Sequence, residues 1–279
     1  MDQDTSTHYP PTQHILRDLQ LEVEHRPDAT VTARIPINEH LVTQSRTVHP
    51  GALATLVDAV GGGLAASVAR PGWIATSDLT LHLLRATDVK TVEARGHVLR
   101  KGRTTVVIEV LLSDQRTRNL GSATMSFAVL ERRGDNPVIE PTNDVLRMSL
   151  ALEGSGFDQP LEEKTGLKTL DAVNGVIELP MLDYIRNSLG AVQGGMIAMA
   201  VSAAAERALT VACRAPVEAI DLQINYLALA KSGPIRSSVQ VLDTGPTFGT
   251  ARVELTDVGA GGRVTTLARV TAVLPEQPC

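Results

Sequence analysis

Asp58 is the one charged side chain in a run of small and aliphatic residues from position 50 to position 69. A carboxylate in such surroundings is costly unless it is paired, hydrogen-bonded or turned toward a cleft, and in a cleft it can take a proton or attack a carbonyl carbon. The run is written twice: V48-H-P-G-A-L-A-T-L-V-D-A59 and V192-Q-G-G-M-I-A-M-A-V-S-A203 lie 144 residues apart. Gly51 matches Gly195, Ala54 matches Ala198 and Val57 matches Val201, but Asp58 stands against Ser202, His49 against Gln193 and Pro50 against Gly194. Gly194 keeps a backbone N–H, which proline lacks. Further on the offset falls to 143 and pairs Asp78 with Asp221, Gly102 with Gly245 and Asp114 with Asp257, so one deletion separates two otherwise parallel copies.

The elements that must position these residues follow from hydrophobic spacing. Leu53, Leu56, Val57, Val60 and Leu64 recur at helical intervals, as do Ile197, Ala200, Val201 and Ala204, which predicts one buried, mostly apolar helix per copy. Gly61, Gly62, Gly63, Ala65 and Ala66 would let other elements approach closely. Alternating runs at 78–84, 105–112 and 122–130, and again at 221–227, 250–255 and 264–273, read as strands; further candidate strands precede each helix at 20–26, 30–37, 168–171 and 175–179. The expected order is strands, one helix, then three strands. This is an α+β pattern in which an antiparallel sheet wraps a single helix, and two such units can join edge to edge. The expected division is 15–133, a turn-rich connector at 134–164 with a short helix at 144–152, and 165–275.

Composition narrows the functional classes. The 279 residues are 43% hydrophobic with a formal charge of -5 and no dense basic block, which argues against nucleic acid and anionic membrane as partners. The polar start carries no signal-like segment and no uninterrupted apolar stretch approaches about 18 residues, so a soluble cytoplasmic protein is expected. Two cysteines, scattered histidines and the absence of a phosphate-binding glycine loop predict neither a metal nor a bound cofactor.

With these elements in order, the block N187-S-L-G-A-V-Q-G-G195 and the later K101-G-R-T104 resemble the hotdog-fold acyl-CoA thioesterases, specifically the phenylacetate-pathway (PaaI-like) type, over nearly all of residues 15–275, once per copy. The resemblance implies two hotdog domains in tandem forming an internal pseudo-dimer, and an acyl-CoA substrate whose coenzyme A portion is part of the substrate rather than a cofactor. It also implies sites built from a turn of one unit and a helix carboxylate of the other. Carried over residue by residue, Asn187, Gln193 (where the family has His), Gly194 and Gly195 come from the second copy and Asp58 from the first. Asp58 would be nucleophile or general base, Gly194 N–H the donor to the oxyanion, and Asn187 would orient water or carboxylate. Gly195, Gly62 and Arg103 would contact substrate, Arg103 at a coenzyme A phosphate, with Pro246 as its counterpart. The second composite site would be degenerate: Pro50 has no N–H, Thr43 replaces Asn187, Ser202 replaces the acid, and His49 is a relic or structural residue, with Glu206 one turn beyond Ser202 as an alternative carboxylate. Beside this stand plainer readings, a structural hydrogen bond for Asp58 and a turn for the glycine pair. Two other functions also stand: a non-catalytic acyl-CoA binder or sensor, and a hotdog hydratase or dehydratase, which His49-Pro50-Gly51 faintly suggests. The acyl group, aliphatic or phenylacetyl, stays open, and further assembly into homo-oligomers is expected of relatives.

Overall fold

The computed structural model describes residues 9–28, 30–131 and 144–274. Helix α2 (Pro50–Ala69) starts with proline at its first position, where no N–H is needed, and His49 caps it by accepting the Gly51 N–H on Nδ1 at 3.0 Å. Helix α4 (Gly194–Cys213) starts after Gln193 and ends at Arg214 in the left-handed conformation. Both helices are long and apolar enough by composition to cross a bilayer, yet most of each is buried inside the fold. Leu53, Leu56, Val57, Val60 and Leu64 are buried, as are Ile197, Ala200, Val201 and Ala204, as their helical spacing predicts.

Around the helices runs one continuous antiparallel sheet. Its strands in chain order are β1 (Glu22–His25), β2 (Val31–Pro36), β3 (Trp73–Leu83), β4 (Thr91–Lys101), β5 (Thr105–Asp114), β6 (Asn119–Leu130), β7 (Leu146–Ser149), β8 (Lys168–Asp171), β9 (Val176–Leu179), β10 (Glu218–Tyr226), β11 (Ile235–Thr244), β12 (Phe248–Asp257) and β13 (Arg263–Val273). The spatial order is β7-β1-β2-β4-β5-β6-β3-β10-β13-β12-β11-β9-β8. Each copy contributes six strands and one core helix, and the copies join where β3 pairs with β10, Leu81 opposite Leu222 and His82 opposite Asp221. Across that seam His82 Nδ1 stands 2.9 Å from Asp221 Oδ2.

Two expectations are corrected. Four strands, not three, follow each long helix, because β4 and β11 carry no clean alternation. On β4 the inward positions include Gly96, where a Cβ would stand 2.7 Å from Val60 Cγ1, so helix and strand approach too closely for a side chain. On β11 the inward Ser237 is polar, its hydroxyl donating to Gly175 O and accepting the Ile177 N–H. The helix expected at 144–152 is instead the edge strand β7, which pairs with β1, Leu146 opposite His25 and Ser149 opposite Glu22. A nine-residue helix is marginal on its own, whereas the open edge of β1 offers a row of unpaired backbone groups. Among its described residues the connector holds one short helix, α3 (Leu161–Lys164), the counterpart of α1 (Ile15–Asp18). The domain boundaries placed at 133/134 and at 275 lie outside the described residues.

The pseudo-two-fold passes between α2 and α4. A Cβ at Gly51 would stand 2.6 Å from Met199 Cβ, and one at Gly195 would collide with the backbone of Thr55, the counterpart of Met199. Both strands of the central pair slip register at matching points, β3 between Thr76 and Asp78 and β10 between Ala219 and Asp221. Such bulges re-aim the side chains beside them.

Candidate active site

Asp58 projects from the third turn of α2 to the N-terminus of α4. Its Oδ1 lies 2.8 Å, and its Cγ 3.0 Å, from the point where a Cβ on Gly194 would stand. Burial pushes its carboxyl up to about 6, while hydrogen bonds from the Gly195 and Gly194 N–H groups and from the Thr76 hydroxyl oppose that shift. The positive end of the α4 dipole faces the same carboxylate. Thr76 sits at the β3 bulge, so a strand residue is turned onto a helix residue of its own copy.

This junction opens on a cavity of about 550 Å³. Asp58, Gly62, Thr76 and Trp73 line it from the first copy; Asn187, Gly194, Ile197, Tyr226 and Leu229 line it from the second. The size suits a small-molecule ligand, and the mixture of apolar wall with a few convergent polar groups is what such sites share. Tyr226 donates to Gly194 O at 3.0 Å, which fixes the first turn of α4. Asn187 reaches the wall, but its Oδ1 accepts the Leu189 and Ala191 N–H groups at 2.9 and 3.1 Å and so shapes the loop before the helix.

Three expected contacts are placed differently. Gln193 does not line this cavity: it is buried and turned the other way, donating from Nε2 to the Tyr9 hydroxyl at 2.7 Å, while its Oε1 has no partner among the described residues. The N-terminal segment draws it there, since His14 packs on Tyr9 and its Nε2 stands 2.8 Å from Arg186 O. Gly195 serves through its N–H on Asp58 and through the tight crossing with Thr55, not as cavity wall. Arg103 is exposed in the β4–β5 turn and outside the lining; Val129 N–H bonds Thr104 O at 2.9 Å, which sets that turn beside the wall residues Ala128 and Leu130.

The pseudo-equivalent space in the other half is filled. About 20 Å³ remains there, lined by residues that include Pro50, Leu53, Thr43, Arg85 and Glu218. Arg85 Nε donates to Glu218 Oε2 at 2.8 Å, and the hydroxyls of Thr43 and Thr47 donate to Oε1 at 2.6 and 3.2 Å. The offset of 143 makes Arg85 the counterpart of Ala228 and Glu218 that of Ala75, both walls of the open cavity. An ion pair therefore occupies the volume that two alanines leave free.

The other residues of this half are engaged structurally. Ser202 bonds Met199 O at 3.0 Å within its helix, and Glu206 accepts the Ala219 N–H at 2.8 Å, its carboxyl pushed up to about 7 by burial. His49 caps α2 and approaches Glu162 at 3.7 Å. Burial raises the Glu162 carboxyl, but the His49 bond and the Arg207 charge outweigh it and hold the group at about 2. Among the described residues no group of three or more His, Cys, Asp or Glu stands close enough to hold a metal ion.

Thr76, Tyr226 and the Arg85–Glu218 pair were not singled out from sequence. A signal existed for them, since Thr76 against Ala219, Ala75 against Glu218 and Ala228 against Arg85 differ between copies as Asp58 and Ser202 do.

Residues 46–120 match the family model described as the Thioesterase superfamily, and residues 186–274 match that of the Acyl-CoA thioesterase N-terminal domain. The chain is thus a tandem hotdog protein of the thioesterase superfamily, a thioester hydrolase by family. Among solved structures it is similar to a protein described as thioesterase II from Thermobifida fusca YX (14% identity, 95% of this chain and 99% of that one, TM-score 0.62). A thioesterase structure from Novosphingobium aromaticivorans is similar at 17% identity over 91% of this chain and 98% of that one, TM-score 0.60. The tesB protein of Mycobacterium avium subs paratuberculosis is similar at 14% identity over 88% and 93%, TM-score 0.57. At these identities the likeness is one of fold. Comparison with curated proteins returns no match. The phenylacetate-pathway subtype rests on the sequence motif alone.

Proposed function

We propose that the protein hydrolyses an acyl-CoA thioester to a free acid and coenzyme A at one composite site, with Asp58 from the first repeat and the Gly194 N–H from the second. The observation that carries this reading is the meeting of these two groups on a cavity of about 550 Å³, against about 20 Å³ at the pseudo-equivalent place.

The chemistry follows from the groups present. Asp58, with its carboxyl at about 6, is largely ionised at neutral pH, and supplies the oxygen that attacks the thioester carbonyl directly or through a water it deprotonates. Negative charge then builds on the carbonyl oxygen, where the Gly194 N–H, exchanged from the Asp58 carboxylate to the bound thioester, and the α4 dipole stabilise it. The carbon–sulfur bond breaks, the thiolate leaves as coenzyme A, and water provides the hydroxyl of the acid and the proton on sulfur. Thr76 and the Gly195 N–H hold the carboxylate in place, and Tyr226 holds the helix turn that presents Gly194. Arg103, in the turn beside the wall, meets a phosphate of coenzyme A at the cavity mouth. The hydratase reading loses its histidine, because His49 caps α2 away from the cavity.

Thiol release from purified protein and a ladder of acyl-CoAs tests the proposal, with Asp58→Asn as the inactive control. Binding of a non-hydrolysable S-alkyl-CoA at one equivalent per chain is expected. Tight binding without thiol release would instead mark a sensor, and two equivalents would overturn the single site.

A further inference from the structure

Three glycines stand in the middle of α2, and each weakens the helix relative to alanine. Gly61 has a packing reason, since a Cβ there would stand 2.6 Å from Met125 Sδ and 3.3 Å from Phe127 Cζ. Gly63 meets the His25 ring at an ordinary 3.6 Å. Gly62 meets nothing: a Cβ built on it has no neighbour within 4 Å, and it faces the cavity one helical turn beyond Asp58. Among the described residues no contact accounts for the missing side chain.

The second repeat shows what a side chain does at that position. The counterpart of Gly62 is Glu206, one turn beyond Ser202, and its carboxylate spans from α4 to the Ala219 N–H of β10 at 2.8 Å. Ala219 is the counterpart of Thr76 in the cavity wall, so the side chain at 206 bridges helix and strand where the first repeat leaves them apart. Beside the gap at Gly62 the same cavity is walled by Trp73, Ile74, Ala128 and Leu130, an apolar surface with one aromatic ring.

We infer that the space over Gly62 receives the acyl tail of the substrate and that the bare glycine sets the greatest length accepted. The inference rests on the thioesterase reading and adds its specificity determinant. A methyl at position 62 meets no described atom within 4 Å, Asp58 and Gly194 included, so it shortens the arm and discriminates by chain length.

The test is steady-state hydrolysis of a saturated acyl-CoA series, from acetyl to palmitoyl, by the wild type, Gly62→Ala and Gly62→Leu, with thermal melts as the folding control. The ratio of kcat/KM for short over long chains should rise by about tenfold or more in Gly62→Leu and by less in Gly62→Ala, as expected when methylenes lose room in an apolar pocket. An equal loss across the series in a folded variant, or no change in the ratio, would overturn it. Should Gly62→Leu fail to fold, the direction of the ratio in Gly62→Ala decides in the same way. Should the wild type release no thiol from any member, the hydrolytic reading fails separately. The length inference is then decided by binding of S-alkyl-CoA thioethers: long chains weakened selectively by the substitution support it, and equal binding overturns it.

Discussion

Oδ1 of Asp58 lies 2.8 Å from where a Cβ on Gly194 would stand, although the two residues come from different repeats, 136 positions apart in the chain. The contact leaves no room for a side chain at 194, and it joins a carboxylate to the positive end of a 20-residue helix. Its mirror image holds Ser202 and Pro50, which carry neither the charge nor the N–H. Duplication has thus produced one junction where a carboxylate faces a helix N-terminus on an open cavity and one that is packed shut.

Asp58→Asn should lower kcat by about 10²- to 10⁴-fold while leaving the far-UV spectrum unchanged. In the wild type, kcat/KM should fall about tenfold per pH unit below the Asp58 carboxyl at about 6, because the protonated acid neither attacks nor accepts a proton. A flat profile from pH 5 to 8 would remove Asp58 from the chemistry.

Thr76→Val removes the hydroxyl that steadies the charged form of Asp58. A hydrogen bond to a charged group contributes about 1.5–3 kcal/mol, so the acidic limb of the pH profile should move upward by about one unit or more. Thr76→Ser should restore it. If Thr76 were merely a strand residue, the limb would stay where it is.

Glu206→Gln should stabilise the fold at alkaline pH. The folded carboxyl is raised to about 7, so the favourable contribution is fully present below the unfolded value near 4.5 and is lost as pH rises through 7. Allowing for solvent screening, the variant should gain about 1–2 kcal/mol at pH 8 and nothing at pH 4, read as denaturation midpoints. The Ala219 N–H keeps an acceptor in the amide.

Arg85→Ala strands the buried Glu218 carboxylate and should cost about 2–4 kcal/mol, whereas Arg85→Ala with Glu218→Ala should cost less than the two single changes summed. Strict additivity in urea melts would mean that the pair does not act as a unit. The double variant should not create a second hydrolytic site, since Pro50 and Ser202 remain.

Gly195→Ala should be among the most damaging single changes in the core. The new methyl meets the Thr55 backbone, which cannot rotate aside, and overpacking of this kind costs about 1–3 kcal/mol or more. Gly190→Ala offers a contrast: no atom lies within 4 Å there, and its backbone strain at φ +72° is the sole penalty. Similar melting temperatures for the Gly195 variant and the wild type would show that the helices do not meet as closely as they stand here.

Comparison of the copies made much of the site legible. Asp58, Gly62, Asn187 and Gly194 all line the cavity, because helical spacing and the family motif both constrain them. Gln193 was misplaced because its side chain follows the N-terminal segment, whose packing against the second repeat leaves no periodic signal. Thr76 gives no signal in the sequence of its own strand, because a threonine in a strand is ordinary until a bulge turns it onto a carboxylate. The strands β4 and β11 escaped because Gly96 and Ser237, demanded by close packing and by a local hydrogen bond, interrupt the alternation on which strand reading depends.

What the amino-acid sequence determined by itself was the duplication, the two apolar helices and the complementary loss of acid and donor, since each is a matter of residue identity and short-range spacing. Only the tertiary structure decided which space stayed open. Cavity volume depends on side chains that meet from distant strands, and neither Arg85 nor Glu218 announces in the sequence that it will find the other 133 residues away. The same folding that brings Asp58 to Gly194 brings that pair together on the other side, and the difference between the open cavity and its filled twin lies in those long-range contacts.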